Sequence, residues 1–246
     1  MVKELPQPQS TDSPALLQMR GISKAFPGVQ ALSAVDLTLH AGEVLALMGE
    51  NGAGKSTLIK ILGGAYQPDV GTVSIDDHAL AIRTPADARR AGIAIIYQEF
   101  NLVPWLTARE NIFLGQESTR AGFFSKAEEH ARALALFERI GVAVDPEALC
   151  GELSVARQQV VEIAKALSLD ARIVVMDEPS ATLTQQEVEC LFAAIRELRN
   201  QGIGIIYISH RLDEVFAIAN RITVMRDGLH VATLPVAQVS RERLIE

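Results

Sequence analysis

Two short segments carry the side chains from which chemistry can be built. The first, Gly49-Glu50-Asn51-Gly52-Ala53-Gly54-Lys55-Ser56, has the spacing G-x-x-x-x-G-K-[ST]. Glycine lets backbone N–H groups turn inward around an anion, and a helix opening there adds its partial positive charge. A lysine in such a loop bridges the terminal phosphates of a nucleotide, and the hydroxyl beside it is a ligand for Mg2+. Lys55 and Ser56 therefore predict a triphosphate cradle that runs on into Thr57. The second segment, Ile173-Val174-Val175-Met176-Asp177-Glu178, ends an apolar run in two carboxylates. A buried strand delivers Asp177 to its carboxyl end, where ligands bind in open α/β sheets. There Asp177 can hold the cation's shell, and Glu178 can orient and deprotonate an attacking water.

Both segments need a scaffold that brings them together. Strand-like apolar runs recur at 43–48, 93–97, 173–176, 203–209 and 222–225. Runs without polar alternation suit a sheet covered on both faces. Helical patterns lie at 55–62, 125–140, 155–168 and 184–201, several of them ending at glycine. Strands alternating with helices predict an α/β fold with a largely parallel sheet. Residues 16–46 and 70–83 read as short antiparallel strands, and about 99–157 as mostly helical.

With 246 residues, the chain suits one large domain or a core with an inserted subdomain. A hydrophobic content of 48% excludes a disordered chain. Lys plus Arg number 23 against 30 Asp plus Glu, a net charge of −7, and aromatics are 5%. That balance disfavours nucleic acid as a partner. No apolar run approaches the roughly 18 residues that span a bilayer. Met1 to Pro14 is rich in Pro, Gln and Ser and reads as a loose leader. Cys150 and Cys190 have no metal-ligand or disulfide spacing and read as buried thiols. Trp105 reads as packing within the helical stretch.

The order of Tyr97-Gln98-Glu99, Leu153-Ser154-Val155-Ala156-Arg157-Gln158-Gln159, Asp177-Glu178-Pro179 and Ile208-Ser209-His210 resembles the ATP-binding cassette of ABC transporters. The resemblance covers nearly all of the chain from about Leu16. Lys24-Ala25-Phe26-Pro27-Gly28-Val29-Gln30-Ala31-Leu32, Val161-Glu162-Ile163-Ala164-Lys165-Ala166-Leu167 and Tyr207-Ile208-Ser209-His210-Arg211 narrow it to the ATP-binding subunit of bacterial monosaccharide importers, of ribose, arabinose, xylose and galactose type. It implies a P-loop NTPase core with a mainly parallel sheet, a small antiparallel β subdomain and a helical subdomain inserted at about 99–160. It implies ATP and Mg2+ as cofactors. It also implies that Phe26 stacks on adenine, that Gln98 reaches Mg2+ and water, and that His210 contacts the γ-phosphate. The implied partners are membrane-spanning permease subunits, a second cassette and, indirectly, a periplasmic sugar-binding protein, at the cytoplasmic face of the bacterial inner membrane. In that family two cassettes usually lie in tandem, and this chain matches the first. It stops at Leu244-Ile245-Glu246 in what reads as a helix.

Two departures stand out. The general signature is Leu-Ser-Gly-Gly-Gln, yet here Leu153 and Ser154 are followed by Val155, Ala156 and Arg157. The loop after Pro179 ends in Thr184 where the general family has Asp. In the family both elements act on the partner cassette's nucleotide. The resemblance therefore implies a cassette fit to cleave its own ATP and a poor helper to the opposite site. The competing readings are a translation-type cassette ATPase and a nucleotide-sensing module, and intact Lys55, Glu178 and His210 argue against the latter.

Overall fold

The computed structural model describes residues 14–116, 119–120 and 123–240. The expected leader, apart from Pro14, and the helical reading of Leu244–Glu246 lie outside the described residues. In chain order the elements are β1 (Ala15–Phe26), β2 (Val29–His40), β3 (Val44–Met48), α1 (Lys55–Leu62), β4 (Val70–Ile75), β5 (His78–Leu80), α2 (Pro85–Arg90), β6 (Ile93–Ile96), α3 (Ala108–Phe113), β7 (Thr119–Arg120), β8 (Phe123–Phe124), α4 (Lys126–Ile140), α5 (Val155–Ser168), β9 (Ile173–Asp177), α6 (Gln185–Asn200), β10 (Gly204–Ile208), α7 (Leu212–Ile218), β11 (Arg221–Arg226) and β12 (Leu229–Pro235).

A six-stranded sheet runs β12-β11-β3-β10-β9-β6. It is parallel except for the edge pair β11–β12. Its strands alternate between two cores. Val174, Met176, Ile205 and Tyr207 pack on the side of α5 and α6. Ile173, Val175, Ile206 and Ile208 pack on the opposite side, with α1 and the antiparallel strands. Both faces are therefore apolar, which explains the unbroken hydrophobic runs. Each such side chain contributes roughly 1.5–3 kcal/mol on burial.

The second sheet, β2-β1-β4-β5, is antiparallel. Its first two strands are not short: β1 and β2 span 12 residues each. Register shifts along β1 break the simple alternation, and Gly21 and Ala34 take positive φ. An edge strand, β12, which sequence patterning does not flag, closes the larger sheet; its side chains are mostly half-buried.

Between β6 and β9 the chain is less helical than expected. Residues 99–107 are irregular, and β7 and β8 form a short hairpin. The irregular stretch is held by Asn111, which is fully buried. Its amide donates to the carbonyls of Val103, Leu106 and Thr107 at 3.0, 3.2 and 3.1 Å. Its oxygen accepts from the Val103 N–H at 2.7 Å. One buried side chain thus cross-links the backbone of the irregular stretch to α3. Trp105, expected to pack inside, is 76% exposed because this loop turns it outward. Cys150 is buried and Cys190 half-buried.

Arg109 ties this region together. Its Nε donates to Glu147 at 2.8 Å and its Nη1 to Glu129 at 3.0 Å. Glu147 also meets His130 at 3.1 Å. The Arg109 and His130 contacts hold the Glu147 carboxyl down at about 2, against an ordinary 4.5. A depressed folded-state pKa gives stability that is present above about pH 4.5 and lost as pH falls towards 2. Circular dichroism across that window is expected to show an acid transition in the wild type. Glu147→Gln, which has no proton to gain, is expected to lose the share of that pH dependence that Glu147 contributes, the other depressed carboxylates keeping theirs.

Candidate functional site

The phosphate-loop motif connects β3 to α1, and the helix opens at Lys55 as the spacing predicts. At two of its glycines the loop has no room for a side chain. Gly49 sits at φ 154°, and a Cβ on it would lie 2.3 Å from the Met225 carbonyl oxygen. Gly54 sits at φ 96°, and its Cβ would lie 2.6 Å from Leu32 Cδ2 and 2.7 Å from the Ala31 carbonyl oxygen. Glycine at both positions lets the loop seat against β2 and β11. The Lys55 ammonium folds back over the loop, donating to the carbonyls of Gly49 and Glu50 at 2.6 and 2.9 Å.

Beside the loop lies an open groove of about 320 Å3. Its floor is 51–57, from Asn51 to Thr57, with Ser56 facing in. Gln98 stands beyond the end of β6, and Asp177 and Glu178 at the end of β9. Val29, Gln30 and Ala31, at the start of β2, complete the wall. Parallel strands deliver their carboxyl ends to one edge, so residues far apart in sequence converge there.

Burial pushes the Asp177 carboxyl up, and the neighbouring Glu178 charge adds to this; Lys55 and Lys60 partly oppose it. Burial lowers the Lys55 ammonium, while Glu178 and Asp177 favour its charge. Cation and carboxylates thus compensate one another across the groove.

Glu178 adopts φ 47°, a left-handed conformation uncommon for a residue with a side chain. Its N–H donates to the Ile208 carbonyl at 3.0 Å, fastening the turn to the end of β10. A conformation of this kind costs about 1–3 kcal/mol and gathers at functional sites. Its result here is that Glu178 Oε1 lies 3.2 Å from Nδ1 of His210, whose side chain is 68% exposed.

The structure therefore brings Lys55, Ser56, Thr57, Gln98, Asp177 and Glu178 to one groove and sets His210 against Glu178. Phe26 does not line that groove. Its ring is half-buried and edge-on to Tyr66, with centroids 5.3 Å apart. The signature Leu153–Arg157 lies outside the groove too: Ser154 is the N-cap of α5, and Ala156 is buried. Thr184 is the N-cap of α6, in a capping box with Glu187. Sequence reasoning assigned no site role to Val29, Gln30 or Ala31. The signal that marks them is the Pro27-Gly28 turn, with Gly28 at φ 80°, which folds β2 back beside the phosphate loop.

The family model described as ABC transporter matches residues 32–181. Ribose import ATP-binding protein RbsA 3 of Rubrobacter xylanophilus is 51% identical over 230 residues, covering 94% of this chain and 46% of that protein. Ribose import ATP-binding protein RbsA 2 of Burkholderia cenocepacia is 54% identical over 231 residues, with the same coverage. The chain thus spans about half the length of the curated relatives it matches. Among solved structures, an ATP-binding cassette of an ABC transporter in its ADP conformation superposes with a TM-score of 0.81 at 27% identity, covering 94% of this chain and 93% of that one. A nucleotide-free cassette gives 0.79 at 27% identity, covering 94% of each. With the phosphate loop, the paired carboxylates and the sheet in this arrangement, the chain belongs to the ABC transporter family.

Proposed function

We propose that this chain binds and hydrolyses ATP to energise import of a monosaccharide. The observation that carries this reading is the convergence of Lys55, Gln98, Asp177 and Glu178 on one groove, in a chain about half identical to ribose import ATP-binding proteins. In it, Gly49 to Thr57 cradle the phosphates, and Lys55 supplies charge to the terminal ones. Glu178 takes the proton of the attacking water, and His210, hydrogen-bonded to it, faces the γ-phosphate. Val29, in the groove wall, frames the adenine end, with Phe26 just outside that wall.

The donor set suits Mg2+. Ser56, Gln98 and Asp177 offer only oxygen ligands, and no cluster of three His, Cys, Asp or Glu side chains occurs among the described residues. Magnesium is held in this way, by one or two side chains together with substrate phosphates. When bound, the ion neutralises charge that develops on the phosphates.

No helix among the described residues is long and apolar enough to cross a membrane. The chain's resemblance to import ATP-binding proteins supports membrane-spanning permease subunits as partners, with the chain at the cytoplasmic face and a periplasmic sugar-binding protein feeding the assembly. The segment at about 99–160 forms the helical subdomain, and Ser154 with Val155, Ala156 and Arg157 faces a second cassette.

The test is calorimetry of ATP binding to wild type and Lys55→Ala. Loss of a charge-assisted bond of about 1.5–3 kcal/mol predicts roughly tenfold or weaker binding. Sugar-stimulated phosphate release by the complex with permease and binding protein tests the transport role. Unchanged ATP affinity, or a complex indifferent to sugar, would overturn the corresponding part.

A further inference from the structure

Beneath the groove lies a polar network that the proposed chemistry does not use. Glu214, in the first turn of α7, is 6% exposed. One carboxylate oxygen, Oε2, accepts three hydroxyl hydrogen bonds: from Ser180 at 2.6 Å, Tyr207 at 2.8 Å and Ser209 at 3.0 Å. The other, Oε1, accepts from Arg211 Nη1 at 3.0 Å. The same Nη1 reaches the Ser180 carbonyl at 3.4 Å, and the Arg211 N–H donates to Ser209 Oγ at 3.0 Å. Burial alone would raise the Glu214 carboxyl, but the hydroxyls and Arg211 outweigh it and hold it below the usual range. It is therefore an anion at neutral pH, matched by donors on every side.

The positions of the donors matter. Ser180 lies two residues after Glu178, in the loop that leaves β9. Ser209 and Arg211 flank His210, in the loop that leaves β10, and Tyr207 anchors the end of β10 itself. One buried carboxylate thus fastens both loops whose tips carry the Glu178–His210 pair. Between the two side chains themselves the contact is a single 3.2 Å bond joining a half-buried carboxylate and an exposed ring. We propose that Glu214 is a positioning residue for ATP hydrolysis, setting Glu178 and His210 in register with one another without touching the nucleotide. This rests on the reading of the groove as an ATPase site.

Misplacement of reacting groups by about 1 Å costs on the order of a hundredfold in rate. In the assembled transporter, Glu214→Gln is therefore expected to lower kcat roughly ten- to a hundredfold, with KM for ATP and ATP affinity unchanged. Combined with His210→Ala, it is expected to add little, because both act through one unit. Wild-type kcat in Glu214→Gln would overturn the inference. So would weakened ATP binding in step with the lost rate, or a loss that multiplies in full on His210→Ala; either marks a merely structural role. If Glu214→Gln fails to fold, Tyr207→Phe and Ser180→Ala carry the test. Each removes one donor and leaves the carboxylate its other partners, and each is expected to lower kcat at constant KM. Unaltered kcat in both would overturn the inference. Glu178→Gln in the same assembly keeps the two readings apart. If wild type turns over and Glu178→Gln does not, the ATPase reading stands and the Glu214 result is judged alone. An assembly with no ATP hydrolysis overturns both.

Discussion

Glu178→Gln is expected to leave ATP binding intact and to slow hydrolysis about 10²–10⁴-fold, the usual loss when a general base is removed. The geometry makes this substitution clean. The N–H of residue 178 still donates to the Ile208 carbonyl, so the turn is retained. A glutamine oxygen can still accept from Nδ1 of His210, where Oε1 now lies 3.2 Å away. Lys55 keeps its contacts with the carbonyls of Gly49 and Glu50. What disappears is the ability to take a proton, together with one negative charge. That charge now favours the protonated Lys55 and disfavours ionised Asp177. The variant should therefore bind nucleotide at least as well as wild type, because ATP is itself anionic. Single-turnover phosphate release beside equilibrium nucleotide binding checks both halves. Wild-type turnover in the variant would mean that another group takes the proton.

Arg109→Ala is expected to destabilise the chain by about 3–5 kcal/mol, the usual cost of breaking a buried ion pair from one side. The Arg109 and Glu129 side chains are 4% and 5% exposed, so water cannot replace the lost contact. The guanidinium joins α3 to Glu129 on α4 and to Glu147 in the loop beyond, where the N–H groups of Ala108 and Arg109 also donate to the carbonyls of Ala148 and Pro146 at 2.9 Å each. Urea denaturation measures the loss. Arg109→Met with Glu129→Leu, which removes both buried charges, is expected to recover a substantial part of it, since apolar replacement of an ion pair is often neutral. Equal instability of the single and double variants would show that packing, rather than uncompensated charge, sets the cost.

The parts of this protein legible in its sequence are those whose cause is local. The bounds of α1 follow from Gly54 and the loop before it, and those of α5 from Ser154 and the apolar spacing that follows. The parallel strands announce themselves because a doubly covered sheet permits unbroken apolar runs. The Lys55–Asp177–Glu178 constellation is legible for a related reason: Asp177 and Glu178 sit at the end of the apolar run of β9, and Lys55 follows the apolar run of β3 through the glycine loop. What escaped depends on distant partners. The 12-residue lengths of β1 and β2 are hidden by bulges, and β12 is half-buried without an apolar stripe. The outward turn of Trp105 depends on Asn111, six positions on, reaching back to the loop. The burial of Glu214 depends on Ser180 and Tyr207, which no spacing rule connects. Phe26 illustrates a different limit: the motif order assigns it to adenine, while its ring lies outside the groove, edge-on to Tyr66.

The sheet order also governs when this site can exist during synthesis. The strand that bears the phosphate loop, β3, lies between β10 and β11, both drawn from the last third of the chain. Gly49 rests against the carbonyl of Met225. A nascent chain is released from its N-terminus at about 5–20 residues per second, so the loop emerges roughly 10–30 s before the strand that braces it. Until β10 is made, late in that interval, β3 has no parallel neighbour, and the pairing that follows is of the slow, long-range kind. Nucleotide stabilises only a state that can hold it. ATP therefore cannot template the early folding of this chain; it can only lock a cradle whose wall, β11, is made well after the phosphate loop.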